Sequence, residues 1–400
     1  EIPSDRYDAR FAHPDVLIAG GGPAGMAAAL AAADEGASVM LVDEEPQLGG
    51  HLRYTTGCAE VRADFVRRVE SHPGIEVLTD SVVTGRYEHN WLAVMQRSAS
   101  GTTERLIKVR AKSLVVAAGK VERPYVFEGN DLPGVMLSTG VQRLINLYAV
   151  RPGNRAAVLT ANETGDAVIE DLQRAGVELA AVVDAREGHD IVRATGAKRV
   201  QRVELSDGRV VDADLLVTAV GWTTPTSLLN MAGVRPIYRP EAARFIPASL
   251  PNDVLATGGV VGDGSLDELT GHGGEVGRIA GSRSLVVKAS WQAAIPSVDL
   301  VAEVDAVDAV PPMLQPETHL ELYRSTTHGF VDFSEDVKSN DLVSAASEGY
   351  DSMELSKRYT TATMGPIQGK LEVGNAVAVH ADAIGASIAE VGTTTWRPPY

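Results

Sequence analysis

What the chain lacks narrows it first. Cys58 is its only cysteine. An internal disulfide, a C-x-x-C redox pair and a four-cysteine metal site are therefore excluded, and Cys58 itself reads as a small filler in or near the core. Positive charge is scarce: 36 Lys and Arg face 53 Asp and Glu, for a net −17 that is not gathered in a tail. That balance disfavours nucleic acid or an anionic membrane surface as partner. No apolar run is long enough to span a bilayer and no signal peptide is visible, so a reducing, cytoplasmic setting is expected. There is no initiating Met either. EIPSDRYDARFAHP reads as a lead-in already under way, as in the middle of a longer polypeptide. What remains is ordinary globular composition, 44% hydrophobic and 22% charged over 400 residues, enough for two or three domains.

The organising stretch is Asp15–Glu45, DVLIAGGGPAGMAAALAAADEGASVMLVDEE. Val16–Ala19 is an apolar run set against a glycine cluster, the pattern of a strand buried on both faces. Gly20, Gly22 and Gly25 match G-x-G-x-x-G: a tight turn, a close approach for a pyrophosphate, and close helix–strand packing. Gly21, Pro23 and Ala24 complete the candidate loop. An alanine-rich helix over 24–35 offers its N-terminal N–H groups and dipole to a phosphate. Gly36 stops it. Ser38–Val42 is the second strand, and Asp43 ends it twenty-three positions after Gly20. A carboxylate there accepts the adenosine ribose hydroxyls, with Glu44 and Glu45 beside it. The reading is a dinucleotide site; a glycine turn in an empty doubly wound domain is the alternative.

Further on, a helix over 61–69 and short strands over 74–110 read as an antiparallel excursion from the parallel sheet. Ser113–Gly119 is a buried strand ending in small residues, followed by a helix near Ser138–Leu147. Arg155–Asp184 is a second βαβ unit, but Thr160, Asn162 and Gly165 stand where its three glycines belong. A domain that has lost its nucleotide and a working nicotinamide site are both open. Asp253–Gly259 is another buried strand reaching a glycine turn. His272 reads as a loop or cap histidine. Val298–Gln315 is acidic and proline-bearing, a linker or strap. Short helices follow Gly329.

This order resembles the two-dinucleotide-domain flavoproteins. The resemblance implies that Gly49 and Gly50 hug the cofactor, and that Ala118 and Gly119 return the chain to it. Gly258 and Gly259 then stand where Gly-Asp binds the ribityl chain of FAD. The missing Asp tilts the first site from FAD toward NAD, with Asp263 as a possible substitute. Several segments resemble more specifically the α subunit of heterotetrameric sarcosine oxidase: VVAAGKVERP, DLPGVMLSTGVQRLINLYAVRPGNRAAVLTANE, VGWTTPTSLL, FVDFSEDV, SKRYTTATMGPIQGK and VGTTTWRPPY.

That resemblance implies an α/β chain with two Rossmann-like domains of the pyridine nucleotide/flavin oxidoreductase type and a small helical domain. Residues 1–152 with 245–297 form the dinucleotide domain, 153–244 the second domain with its degenerate fingerprint, and 298–327 a linker. Residues 328–392 form the helical domain, and 393–400 begin a folate-binding domain that lies, like an N-terminal ferredoxin-like region, outside this sequence. It implies NAD that is not turned over, FMN between α and β, FAD on β where sarcosine or a related amine is oxidised, and small γ and δ subunits. Glycine, hydrogen peroxide, and formaldehyde or methylene-tetrahydrofolate are the implied products. Related oxidases of opines and amines place a [2Fe-2S] cluster on C-x-C and C-x-x-x-x-C. Here those positions are Asp332, Ser334, Ile367 and Glu372, so this chain forms no cluster. Lys357, Arg358, Tyr359, Thr360, Thr361, Gln368 and Lys370 are placed near the FMN phosphate by resemblance; a solvated basic patch is the alternative. No catalytic residue and no metal ligand is assigned. A self-contained NAD(P)H-dependent FAD oxidoreductase and a purely structural subunit are the competing readings.

Overall fold

The computed structural model describes residues 6–97, 103–293, 314 and 318–395. Most of the linker and the last five residues of the expected folate-domain start lie outside these. A five-stranded parallel sheet carries the first unit, in the order Val254–Ala256, Ser113–Val116, Val16–Ala19, Val39–Val42, Ile75–Leu78. Its three central strands are buried at every position, as a sheet covered on both faces requires. Asp15 staples the strand starts: it accepts Ser38 N–H at 2.9 Å and pairs with Lys112.

The helix Pro23–Asp34 packs the sheet with one side and the helix Leu266–Ala293 with the other. Gly273, Gly277 and Gly281 lie on the backbone of Ala24, Ala28 and Ala32; a Cβ on Gly277 would sit 2.1 Å from the Ala28 carbonyl oxygen. Only residues without side-chain bulk on both helices allow that approach. The antiparallel excursion is shorter than expected: Ser81–Tyr87, Trp91–Arg97 and Glu104–Arg110 form it, whereas Ile75–Leu78 is the parallel edge strand of the first sheet. The lead-in is more than a tail: Tyr7–Ala12 adds a fourth strand, parallel to Glu104–Arg110, with Asp8 paired to Arg105 at 2.7 Å.

The second unit has the parallel order Val135–Leu137, Leu215–Ala219, Arg155–Thr160, Glu178–Asp184. The strand Val135–Leu137 and the helix Ser138–Tyr148 therefore belong with it, ahead of the boundary expected at 153. A three-stranded antiparallel sheet, Ile191–Thr195, Arg202–Leu205 and Val210–Asp212, completes it. Buried Asp171 joins the two units by accepting Thr56 Oγ1–H at 3.0 Å, and within the second unit it accepts Gln142 Nε2–H at 2.8 Å. Residues 318–328 strap across both, with Val126 N–H donating to Tyr323 and Ser325 N–H donating back to Val126. The small domain is a hairpin, Phe330–Asp332 and Val337–Lys338, and the helices Ser339–Ser347, Met353–Thr360, Val373–Ile384 and Ile388–Val391 around Val331, Leu342, Met353 and Val377. No helix among the described residues is long and apolar enough to cross a membrane.

Candidate nucleotide site

The first crevice opens where Val16–Ala19 turns into the helix Pro23–Asp34. Gly20 has φ +117°, and a Cβ there would lie 2.2 Å from the Ala117 carbonyl oxygen. Gly25 lies over Gly20. Gly22 is the helix N-cap. It makes no side-chain cap, Pro23 fills the first position, and no acid occupies the first turn. The helix start keeps its N–H groups and its positive end for an external anion. Gly49 N–H donates to the Gly21 carbonyl at 2.8 Å, which lays the Gly49–Gly50 pair on the glycine turn.

Asp43 is buried, and its carboxylate accepts the N–H groups of Gly21 and of Glu45. Burial pushes its pKa up against those two donors. The residue expected to read the ribose thus also fixes the turn. Glu45 is bridged between Arg53 and Arg143; burial pushes it up, but hydrogen bonds from these two guanidinium groups hold it below the usual carboxylate range. Glu44 is exposed and lies 3.8 Å from Lys370 of the small domain.

At the far end, Ala118–Gly119 and Gly258–Gly259 follow adjacent parallel strands, Ser113–Val116 and Val254–Ala256. Thr257 Oγ1 and His272 Nδ1 share a hydrogen bond of 2.8 Å, so His272 is a buried tether. Asp263, the possible substitute for the absent aspartate, already has partners. Its carboxylate, 1% exposed, accepts Lys120 Nζ–H at 2.6 Å and Arg244 Nη2–H at 2.9 Å, with His319 Nε2 3.5 Å away. Burial opposes its charge, but these three groups hold it well below the usual range. Lys120 also lies 4.5 Å over the Trp222 ring. His51 is open to solvent on one side, yet crowding by the surrounding chain and the Lys120 ammonium push its pKa down. Lys120, Arg244, His319 and His51 were not singled out from sequence. A charged residue directly after the small-residue end of a buried strand was the available signal for Lys120. Arg244 and His319 gave none, since only the fold brings them to Asp263.

The second crevice is built differently. Asn162 caps the helix Glu163–Arg174, its Oδ1 accepting Thr164 N–H at 3.0 Å, and Glu163 and Asp166 fill the first turn. Thr160 occupies the first glycine's place, and its hydroxyl bonds the Asn162 carbonyl and Asp166. Arg186 bridges Asp166 and Asp184 at 2.8 Å. The groups that would meet a pyrophosphate already have partners, and the nearby acids repel one.

In the small domain the basic set, Lys370 apart, is engaged internally. Lys357 is buried and donates to the Thr395 carbonyl at 3.0 Å. Arg358 pairs with Glu354 at 3.1 Å. Tyr359 stacks on Tyr350 at 4.1 Å and donates to Glu348. The Thr360 and Thr361 hydroxyls bond the Ser356 and Thr360 carbonyls, and Gln368 bonds those of Met364 and Gly365. Asp332 and Glu372 are buried carboxylates, and Ser334 N–H donates to Asp332. Among the described residues no group of three His, Cys, Asp or Glu is placed to hold a metal ion.

Comparison with known proteins places this geometry. Residues 15–200 match the family described as FAD dependent oxidoreductase, and residues 326–400 the sarcosine oxidase A3 domain. The chain is 33% identical to the sarcosine oxidase subunit alpha of Rhizobium meliloti (strain 1021), over 100% of this chain and 43% of that one. It is 30% identical to that of Corynebacterium sp. (strain P-1), over 98% and 45%. It thus spans less than half the length of these curated relatives. The L-proline dehydrogenase structure from P. horikoshii superposes with a TM-score of 0.75 at 20% identity, covering 98% of this chain and 78% of that one. That likeness shows a shared fold.

Proposed function

The chain is homologous over its whole length to sarcosine oxidase α subunits, and from this premise we propose that it is the nucleotide-carrying portion of a multi-subunit amine oxidase. In this reading it acts in the cytoplasm with a β subunit carrying FAD, small γ and δ subunits, and tetrahydrofolate taken by a domain outside this sequence. Sarcosine or a related secondary or tertiary amine is oxidised on β, with oxygen as acceptor. Glycine, hydrogen peroxide, and formaldehyde or methylene-tetrahydrofolate are the products. The proposed domain plan keeps the expected bounds, except that Val135–Tyr148 is assigned to the second unit.

One observation carries the site: the uncapped, acid-free start of the helix Pro23–Asp34, against the capped start of Glu163–Arg174. Gly20–Gly25 receive the pyrophosphate, Asp43 to Glu45 face the adenosine, Gly49 and Gly50 cover the turn, and Ala118, Gly119, Gly258 and Gly259 line the far half. NAD is the proposed occupant, because neither Gly259 nor Asp263 offers a free carboxylate to a ribityl chain. Bound there, NAD supplies stability rather than a redox step. FMN is proposed at the β interface beside Lys357–Thr361, Gln368 and Lys370.

A second reading, a self-contained NAD(P)H-dependent FAD oxidoreductase, is favoured by the match of residues 15–200 to FAD dependent oxidoreductases. The self-capped second crevice counts against it. Denaturing the purified chain and identifying the released nucleotide separates the two. NAD is expected; stoichiometric FAD favours the second. Purified alone, the chain should not oxidise sarcosine, and turnover without a partner overturns the leading reading.

A further inference from the structure

Asp332 and Glu372 are each 1% exposed inside the small domain, close enough that the charge of one acts on the other. They are not equivalent. Asp332 accepts three backbone N–H groups: Ser334 at 2.8 Å, Glu335 at 3.1 Å and Thr363 at 2.7 Å. Asp332 is thus the better supplied with amide donors. Glu372 receives its own N–H and that of Leu371, the latter at 3.2 Å. Charged groups nearby are turned elsewhere. Lys370 points to Glu44, Lys338 lies over the Phe330 ring, and Glu335 packs on Gly365. Two adjoining buried carboxylates, one of them poorly supplied with donors, do not both ionise cheaply.

We propose that Glu372 is a protonated positioning residue: its neutral form seats the segment Thr363–Glu372 against Asp332, and its ionisation loosens that seat. Both ends of the segment are held at this pair, Thr363 by its bond to Asp332 and residue 372 by its own burial. Thr363 also packs on Gly369, which adjoins Val373. The segment carries Gln368 and Lys370, and through Lys370 it touches the acidic rim of the nucleotide crevice. Burial and the charge of Asp332 push the Glu372 pKa up to about 7. The seated state therefore holds a proton that the loosened state, with an ordinary value of 4.5, has lost. The seat is firm below that ordinary value, weakens as pH rises toward the seated value, and changes no further above it.

Hydrogen exchange of peptides spanning 363–372 in the 400-residue chain, corrected for intrinsic chemical rates, tests this. The opening constant should rise about tenfold per pH unit between about pH 5 and 7 and then level off. Glu372→Gln should stay as protected at pH 8 as the unmodified chain is at pH 5. Asp332→Asn should move the level region to lower pH, because the charge that raises Glu372 is gone. A side chain that merely fills space produces no such slope. A profile flat from pH 5 to 8 in the unmodified chain, or an unchanged slope in Glu372→Gln, overturns the proposal. If Glu372→Gln does not fold, the unmodified profile and the Asp332→Asn shift decide. The readout does not depend on whether FMN binds nearby.

Discussion

Arg186 holds Asp166 through two parallel hydrogen bonds, Nη1 to Oδ2 and Nη2 to Oδ1, each 2.8 Å long. This fork ties the first turn of the helix Glu163–Arg174 to the turn after Glu178–Asp184, where a bound pyrophosphate needs the helix start free. The chain should accordingly release one dinucleotide per polypeptide on denaturation. Two per polypeptide would show that the fork opens.

At the first crevice, two glycines should respond differently. A Cβ on Gly22 meets only the Gly50 Cα, at 4.0 Å. Gly22→Leu should fold yet retain no nucleotide, its side chain standing where the phosphates approach. Gly20→Ala collides with the Ala117 carbonyl at positive φ and should cost at least about 2 kcal/mol of stability in urea unfolding. Equal nucleotide content in Gly22→Leu and the unmodified chain would mean that the site is misplaced.

Asp263 neutralises Lys120 and Arg244 in a buried cluster. Asp263→Ala leaves two cations without their shared partner and should cost about 3–5 kcal/mol. Lys120→Met should cost less, since Asp263 keeps Arg244. Urea midpoints of the two variants check the order; a milder effect for Asp263→Ala would contradict it.

Asp15 sets the acid limit of the first sheet. Burial opposes its charge, but hydrogen bonds from Lys112 and from Ser38 hold its pKa at about 2, below the ordinary 3.8. A lowered value means that its contribution is complete above the ordinary value and is lost as pH falls through the folded one. Asp15→Asn should be less stable at pH 6 than the unmodified chain, and the gap should close near pH 2. A constant gap in thermal unfolding across that range would remove Asp15 as the cause.

The first βαβ unit was legible because its signals are local: glycine spacing, a four-residue apolar run, and an acid at the end of a strand. The degeneracy of the second fingerprint was equally legible, but the side chains that bond across its turn were not. Arg186 lies 20 positions from Asp166, and no spacing rule links them. Tyr7–Ala12 was missed as a strand although Tyr7 to Phe11 alternates apolar and polar residues, a run too short to decide its state without the pairing to Glu104–Arg110. Arg244 and His319 were invisible for the same reason, being gathered on Asp263 by tertiary contacts alone.

The glycine seam between the helices Pro23–Asp34 and Leu266–Ala293 carries a consequence for biosynthesis. The fingerprint is complete by Glu45, yet its helix beds against Gly273, Gly277 and Gly281, and its sheet closes with Val254–Ala256. During translation the phosphate loop waits, with an alanine face uncovered, until more than two hundred further residues have emerged. The whole second unit is made inside that interval. A nascent chain halted after the second unit should therefore expose an apolar helix face to chaperones, and nucleotide capture should come late, after residue 281 has cleared the exit tunnel.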